Sequence, residues 1–159
     1  MATSKQAEAF WRFSLMVYGR PGITTALIGL QDRGGHNVNL ILFGLWLAVA
    51  RGRRLDATGL ARARAAIENL DRAAVQPLRT LRRALRDIPD PDIRELRKRV
   101  LALEVAAERR IQGRLAASVT GRVAKARRAA LAEANLRLIL GADFASREGK
   151  ALSEALARL

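Results

Sequence analysis

The sequence predicts an all-α fold: a compact N-terminal three-helix unit and a long Arg-rich helical hairpin, together forming a helical bundle. Three observations lead to this fold class. Apolar residues recur every three or four positions along most of the 159 residues, which is the period of a helix with one buried face. Glycine, proline, serine and aspartate stand where helix ends are expected. No run alternates between polar and apolar residues, so no strand is predicted.

The first two helices begin and end at recognisable residues. Ser4 is the predicted N-cap of a helix that continues to about Tyr18, because a serine oxygen accepts hydrogen bonds from free helical N–H groups. Pro21 is suited to open the second helix, since its fixed φ matches the first helical position. Gly34 and Gly35 end that helix, because glycine accepts the left-handed conformation of a C-terminus.

The third helix is expected from about Asn37 to Arg51, and it is apolar nearly all round. Such a helix belongs at the centre of a protein rather than at its surface. Within it, Asn39 is the only polar residue between Val38 and Ala48. We therefore expect the Asn39 side chain to be buried and hydrogen-bonded, to a backbone N–H or to the indole of Trp11.

Long helices are predicted over residues 56–141. Asp56 is the expected N-cap of the first, Pro77 interrupts or kinks it, and the segment 88–92 is a linker in which Asp90 caps the next helix. In that helix, apolar residues recur in steps of three and four and form one stripe. Such a stripe fits a hairpin partner, a short coiled coil or a homo-oligomer seam. Its members are Ile93, Leu96, Val100, Leu103, Ala107, Ile111 and Leu115.

The C-terminal part is also predicted to be helical. Thr120-Gly121 is a candidate break, Arg122–Leu140 is the expected next helix, and residues 142–159 contain an amphipathic helix from Ser146. A chain of this length suits one domain, so we expect residues 1–159 to form one domain with an N-terminal core at 4–55.

Composition excludes several classes of site. The chain has no cysteine and one histidine, which removes thiol chemistry, thiolate metal sites and sites that need two imidazoles. We predict no cofactor and no metal, and the composition favours a binding protein over an enzyme. The apolar run Val38–Ala50 is shorter than the 20 or so residues of a membrane span, and no targeting signal is visible. A cytoplasmic location is the expectation.

A polar cluster surrounds the junctions of the first three helices. One interpretation is a pocket for a ligand or peptide end, and the other is a structural clasp that satisfies helix ends. Asp32 is expected to pair with Arg20 or Arg33, and its spacing from His36 weakly resembles an acid/base pair. The cluster comprises Tyr18, Arg20, Gln31, Asp32, Arg33, His36 and Asn39, with Asn37 beside them.

The formal net charge is +14, which predicts an anionic partner such as RNA, the ribosome or an acidic protein. The alternative is a solvated basic face that reflects an Arg- and Ala-rich composition. No aromatic residue lies between Trp46 and Phe144, so stacking on bases is not predicted. The candidate anion-binding residues are Arg79, Arg82, Arg83, Arg86, Arg110, Arg114, Arg122, Lys125 and Arg128, with Arg51, Arg53 and Arg54 as a further cluster.

Three sequence blocks carry a family resemblance: Phe10–Tyr18, Leu30–Arg33 and Val38–Ala48. They follow the pattern FWxFSLxVY…QD…VNxxLFxxWLA. Across residues 9–50 the chain resembles an uncharacterised family of small all-helical bacterial proteins. The family pattern favours an acidic residue at the position of Asn37, where this chain departs from it. The resemblance implies a helical fold and a bacterial cytoplasmic setting, and it implies no activity.

These observations together favour a non-enzymatic interaction or adaptor protein that uses basic helices to bind an anionic partner. The alternative is a small-molecule-binding protein or enzyme that uses the region of Asp32, His36 and Asn39.

Overall fold

Eight α-helices and one short strand pair make up the regular structure of the residues that the computed structural model describes, which are 2–119 and 122–158. The all-α prediction is confirmed. The elements, in chain order, are α1 (Ala2–Tyr18), α2 (Ile23–Gly34), α3 (Val38–Val49), β1 (Arg53–Arg54), α4 (Ala57–Leu70), a π-helical turn (Asp71–Val75), α5 (Gln76–Ala84), α6 (Pro91–Ala117), β2 (Arg122–Val123), α7 (Arg128–Leu140), a 3-10 turn (Gly141–Ala145) and α8 (Arg147–Leu156).

Helix α3 is the centre of the molecule, as its apolar sequence predicts, and ten consecutive residues of it are buried. Its N-cap is Asn37, whose side-chain oxygen accepts from the backbone N–H groups of Asn39 and Leu40 at 2.9 and 3.3 Å. The rings of Phe10 and Trp46 stack with centroids 5.1 Å apart. Aromatic pairs of this geometry add to the stabilisation from apolar burial.

Two predicted helix starts are displaced. Helix α1 begins at Ala2, so Ser4 lies inside the helix rather than at its cap. Helix α2 begins after Gly22, which adopts φ 82°, so Pro21 lies in the preceding turn. The predicted end of α2 is confirmed, because Gly35 takes a left-handed conformation with φ 67°.

The long helices begin and are interrupted where the sequence predicts. Asp56 caps α4 by accepting from the Gly59 N–H at 2.7 Å, and Asp90 caps α6 by accepting from the Asp92 N–H at 2.8 Å. The π-helical turn lies just before Pro77, where the missing proline N–H interrupts the regular ladder. Helices α5 and α6 pack together as the predicted hairpin.

The predicted apolar stripe of α6 is wrong at two positions. Leu96 and Leu103 are 44% and 59% exposed, whereas the polar Glu104 and Gln112 are buried at 4% and 3% exposure. The physical reason is the chemistry of the neighbours. Helix α5 faces α6 with arginines, and α1 faces it with a serine, so α6 presents complementary polar groups to both.

The predicted helix over 122–140 is also corrected. Arg122 and Val123 instead form β2, which pairs antiparallel with β1, and α7 begins only at Arg128. The pairing contradicts the prediction of no strand. A two-residue strand leaves no periodic pattern in a sequence, so only the tertiary contact reveals it. The predicted break at Thr120-Gly121 lies outside the described residues.

The C-terminal helices pack on the N-terminal unit, α7 against α3 and α8 against α2. Helices α3 and α7 approach closely at Gly44, because a Cβ at this position would collide with the Ile139 side chain. Ser146 caps α8 by accepting from the Gly149 N–H at 3.1 Å. Among the described residues, no helix is both long and apolar enough to cross a membrane.

Candidate functional site

A groove of about 700 Å³ opens between α1, α2, α5 and α6, within the size range of small-molecule sites. We call it the central groove. Its lining residues are Trp11, Ser14, Leu15, Tyr18, Ile28, Gln31, Asp32, Val38, Asn39, Leu42, Arg79, Arg82, Arg83, Arg86, Leu101, Glu104, Val105, Glu108 and Gln112.

The floor of the central groove is a buried polar network. The Ser14 hydroxyl contacts the Phe10 carbonyl at 3.0 Å and the Gln112 Oε1 at 3.1 Å. Gln112 Nε2 donates to Asn39 Oδ1 at 2.9 Å. Asn39 is 4% exposed, so the prediction of a buried, hydrogen-bonded side chain is confirmed. Its partner is Gln112 rather than a backbone group or Trp11.

One wall of the central groove is a four-residue ion-pair cluster between α5 and α6. Arg82 reaches both oxygens of Glu104, at 2.5 Å from Nε and 3.2 Å from Nη2. Arg79 contacts Glu104 at 3.2 Å and Glu108 at 2.9 Å. Burial raises the pKa of Glu108, and Arg79 counteracts that rise. The hydrogen bond to Glu104 raises the pKa of Arg82, so the guanidinium of Arg82 keeps its positive charge at this wall.

Three further residues of the predicted polar cluster, Tyr18, Gln31 and Asp32, line the central groove. Tyr18 faces this wall, and burial, followed by the nearby charge of Glu108, raises its pKa. Asp32 accepts from Arg83 at 2.9 Å, and that hydrogen bond lowers the pKa of Asp32. The predicted partners of Asp32, Arg20 and Arg33, are therefore wrong. Gln31 also contacts Asp32, at 3.3 Å.

The rest of the predicted polar cluster lies away from the groove lining. Arg33 pairs with Glu148 of α8, and His36 Nε2 lies 2.7 Å from Asp143 Oδ2 in the 3-10 turn. Asp32 and His36 therefore have different partners and do not form the acid/base pair that their spacing suggested. Arg20 shares backbone hydrogen bonds with Val17 and Ile23. The structure therefore divides the predicted cluster: part of it lines the groove, Arg33 and His36 face α8 and the 3-10 turn, and Arg20 lies in the turn between α1 and α2.

The predicted arginine stripe of α5 is largely neutralised. Three of its members, Arg79, Arg82 and Arg83, are paired with carboxylates. Arg86 is exposed and forms no ion pair with any described residue. The stripe is therefore a wall of the central groove rather than an open cationic face.

A second basic region forms where β1 meets β2. The strand register joins Arg53 to Val123 and Arg54 to Arg122, and the Ala124 N–H donates to the Gly52 carbonyl at 3.0 Å. Basic residues that lie about 70 positions apart in sequence become neighbours. We call this region the basic patch, and its members are Arg51, Arg53, Arg54, Arg122, Lys125, Arg127 and Arg128.

The remaining predicted basic residues are more dispersed. Arg128 Nη1 lies 3.4 Å from the Ala48 carbonyl at the end of α3. Arg114 Nη1 lies 3.5 Å from the Ala66 carbonyl of α4, and Arg110 is exposed on α6. Arg114 is therefore directed towards α4.

Asn135 is a positioning residue that sequence reasoning missed. It is completely buried, its Oδ1 accepts from the Leu55 N–H at 2.7 Å, and its Nδ2 donates to the carbonyls of Gly44 and Arg53 at 2.9 and 3.1 Å. It holds the segment that carries β1. Asn135 could have been predicted from the same pattern that identified Asn39, namely an amide side chain among apolar residues in the middle of a predicted helix.

The described residues contain no cluster of three His, Asp or Glu side chains arranged to hold a metal ion. Residues 9–115 match the family described as a protein of unknown function (DUF2390). Searches of the curated proteins and of the solved structures found no match. Because the match covers more than half of the chain, the chain belongs to this family.

Proposed function

We propose that this member of the DUF2390 family is a non-enzymatic interaction protein that binds RNA through the basic patch. The observation that carries the proposal is the β1–β2 pairing, which unites two arginine-rich segments. Neither residues 50–55 nor residues 122–132 contain an aspartate or glutamate. Positive charge is therefore concentrated in these two segments of the sequence.

The side-chain chemistry of the basic patch suits phosphate. Six of its seven members are arginines, whose planar guanidinium groups match phosphate oxygens in pairs. Residues 47–143 contain no aromatic side chain on which bases could stack. The expected mode is recognition of the nucleic-acid backbone with little sequence preference, as point charges alone supply affinity but not base readout.

Binding of this kind depends steeply on salt. Each phosphate neutralised contributes a log–log slope of roughly −0.7 on single strands and −0.9 on duplex DNA. Fluorescence anisotropy of a labelled uridine homopolymer, at low and at physiological salt, measures this slope. The expected result is saturable binding at low salt that weakens sharply as salt rises.

Charge-reversal variants test whether RNA binds at the basic patch. The triple variant Arg54→Glu, Lys125→Glu and Arg127→Glu changes exposed patch residues. The matched control reverses Arg72, Arg94 and Arg99, which are exposed on other segments. Both variants lose the same net charge, so nonspecific attraction falls equally. We expect the patch variant to lose most of the affinity and the control to keep it.

Three outcomes would contradict the proposal. If neither RNA nor DNA is bound at low salt, an acidic protein becomes the better partner class. If both triple variants lose affinity equally, net charge rather than the patch is responsible. If the patch variant still binds, the surface lies elsewhere, and Arg86, Arg110 and Arg114 are tested next.

Self-association is a separate proposal. The predicted seam Ile93–Leu115 is mostly used within the chain, since Val100, Ile111 and Leu115 are buried. Leu96 and Leu103 remain exposed and are the residues through which two α6 helices could pack. Sedimentation velocity of the wild type and of Leu96→Gln/Leu103→Gln tests it: identical monomeric profiles would exclude this contact.

A further inference from the structure

We propose that the central groove binds a small organic carboxylate with an apolar body. This inference is independent of RNA binding, because the groove and the basic patch share no residue. The groove combines a half-exposed apolar rim, spare hydrogen-bond donors and a buried amide, and no described side chain fills it.

Spare donors line the groove beside the ion-pair cluster. Arg79 and Arg82 each use Nε and Nη2 to hold carboxylates, while Nη1 of each has no hydrogen-bond partner among the described residues and is not sealed from solvent. Arg86 adds an exposed guanidinium without a carboxylate partner. A carboxylate accepts from such guanidinium groups with short, strong hydrogen bonds.

The buried amide points to the same kind of ligand. Asn39 Oδ1 is occupied by Gln112, but its Nδ2 donates no hydrogen bond within the described part of the chain and is accessible from the groove. Asn39 as a whole residue is 4% exposed, and the polar atoms of so deeply buried a side chain normally have hydrogen-bond partners. A ligand oxygen entering the groove would supply it.

The charge balance disfavours a cationic ligand. Four arginines and three carboxylates line the groove, and the oxygens of Glu104 are both taken by arginine nitrogens. Asp32 already accepts from Arg83 and Gln31. One oxygen of Asp32 and one of Glu108 have no hydrogen-bond donor among the described residues, but the four guanidinium groups offer more unpaired N–H groups than these two acceptors, so a ligand rich in acceptors is favoured.

The apolar body of the ligand would lie against exposed apolar side chains of the groove. Leu15, Ile28, Leu101 and Val105 line the groove and are 57%, 41%, 45% and 38% exposed. Covering these side chains is favourable because it removes apolar surface from water. A ligand that carries a hydrocarbon portion beyond its carboxylate would cover these side chains while its head meets the arginines.

Isothermal titration calorimetry with three probes tests the proposal. Decanoate has both features, acetate has the carboxylate alone, and decyltrimethylammonium has the same chain with the opposite charge. We expect saturable 1:1 binding of decanoate only, which also raises the melting temperature of the protein.

Variants on one helix locate the site. Leu101→Asp places a negative charge on the groove rim, and Leu103→Asp places the same charge on α6 outside the lining. Both leucines are exposed, at 45% and 59%, so neither change disturbs the core. We expect the first variant to weaken decanoate binding at least about tenfold, whereas the second leaves it unchanged. Arg86→Ala should weaken it, unlike Arg72→Ala.

Several results would overturn the proposal: no saturable decanoate binding, equal affinity for decyltrimethylammonium, or equal losses in the two aspartate variants. The Arg54→Glu/Lys125→Glu/Arg127→Glu variant should retain decanoate binding. If it does not, the carboxylate is binding at the basic patch and the groove assignment is wrong.

Discussion

Gln112 of α6 donates a 2.9 Å hydrogen bond to Asn39 of α3, across 73 positions of the chain. Both residues are almost completely buried, at 3% and 4% exposure. A buried polar pair of this kind fixes the register of two helices, because each group needs the other to replace the water it lost. It also forms the floor of the central groove.

Asn39→Leu is expected to lower the free energy of unfolding by about 1–3 kcal/mol, because Gln112 Nε2 then loses its acceptor. Urea denaturation measures the change. The double variant Asn39→Leu/Gln112→Leu should lose less than the sum of the two single changes, since it removes both partners. Strict additivity would contradict a direct interaction.

Asn135→Leu is expected to release the β1 segment. The change removes the partners of the Leu55 N–H and of two carbonyls, which should cost about 1–3 kcal/mol. Hydrogen exchange at the Leu55 amide should become faster than in the wild type. Asn69→Leu, at an exposed position of α4, is the control and should change neither quantity. A loss of RNA affinity in the Asn135 variant would link this residue to the basic patch.

Glu104→Leu is expected to lower the free energy of unfolding by about 3 kcal/mol or more, because it leaves Arg79 and Arg82 without their shared carboxylate. Thermal and urea unfolding measure the effect. Glu95→Leu is the matched control on the same helix, since its pair with Lys98 is exposed and exposed pairs contribute little. Equal effects of the two changes would show that the buried cluster is not important for stability.

Asp32→Asn is expected to have a small, pH-dependent effect. The pair with Arg83 is exposed at 38% and 41%, so its contribution is below about 1 kcal/mol. Because Arg83 lowers the pKa of Asp32 below its ordinary 3.8, the stabilisation is present above that value and is lost as pH falls through the lower folded-state pKa.

Melting temperatures of the wild type and Asp32→Asn, measured across the acidic range, test this direction. The two curves should converge at low pH and separate above the ordinary pKa. Arg83→Gln should show the same separation. A difference that grows on acidification would contradict the pairing.

Much of the fold follows from local chemistry. The caps at Asp56, Asp90 and Ser146 and the left-handed Gly35 end or begin helices where the sequence indicates, because each acts on backbone groups within a few residues. The buried α3 and the burial of Asn39 follow from composition alone. The predicted cap at Ser4 is wrong, because α1 already begins at Ala2.

The helical class, most helix ends and the shortlist of polar residues can therefore be predicted from the amino-acid sequence. The partners of those residues depend on the packing of the helices: Asp32 pairs with Arg83, His36 with Asp143, and Glu104 with two arginines of α5. Only the tertiary structure also decided that β1 and β2 pair and thereby assemble the basic patch. The difference arises from how far apart the interacting residues lie in the sequence. Hydrogen bonds of caps and turns join residues close in sequence, whereas an ion pair or a two-residue strand pair depends on which helix faces meet, and no local pattern records that choice.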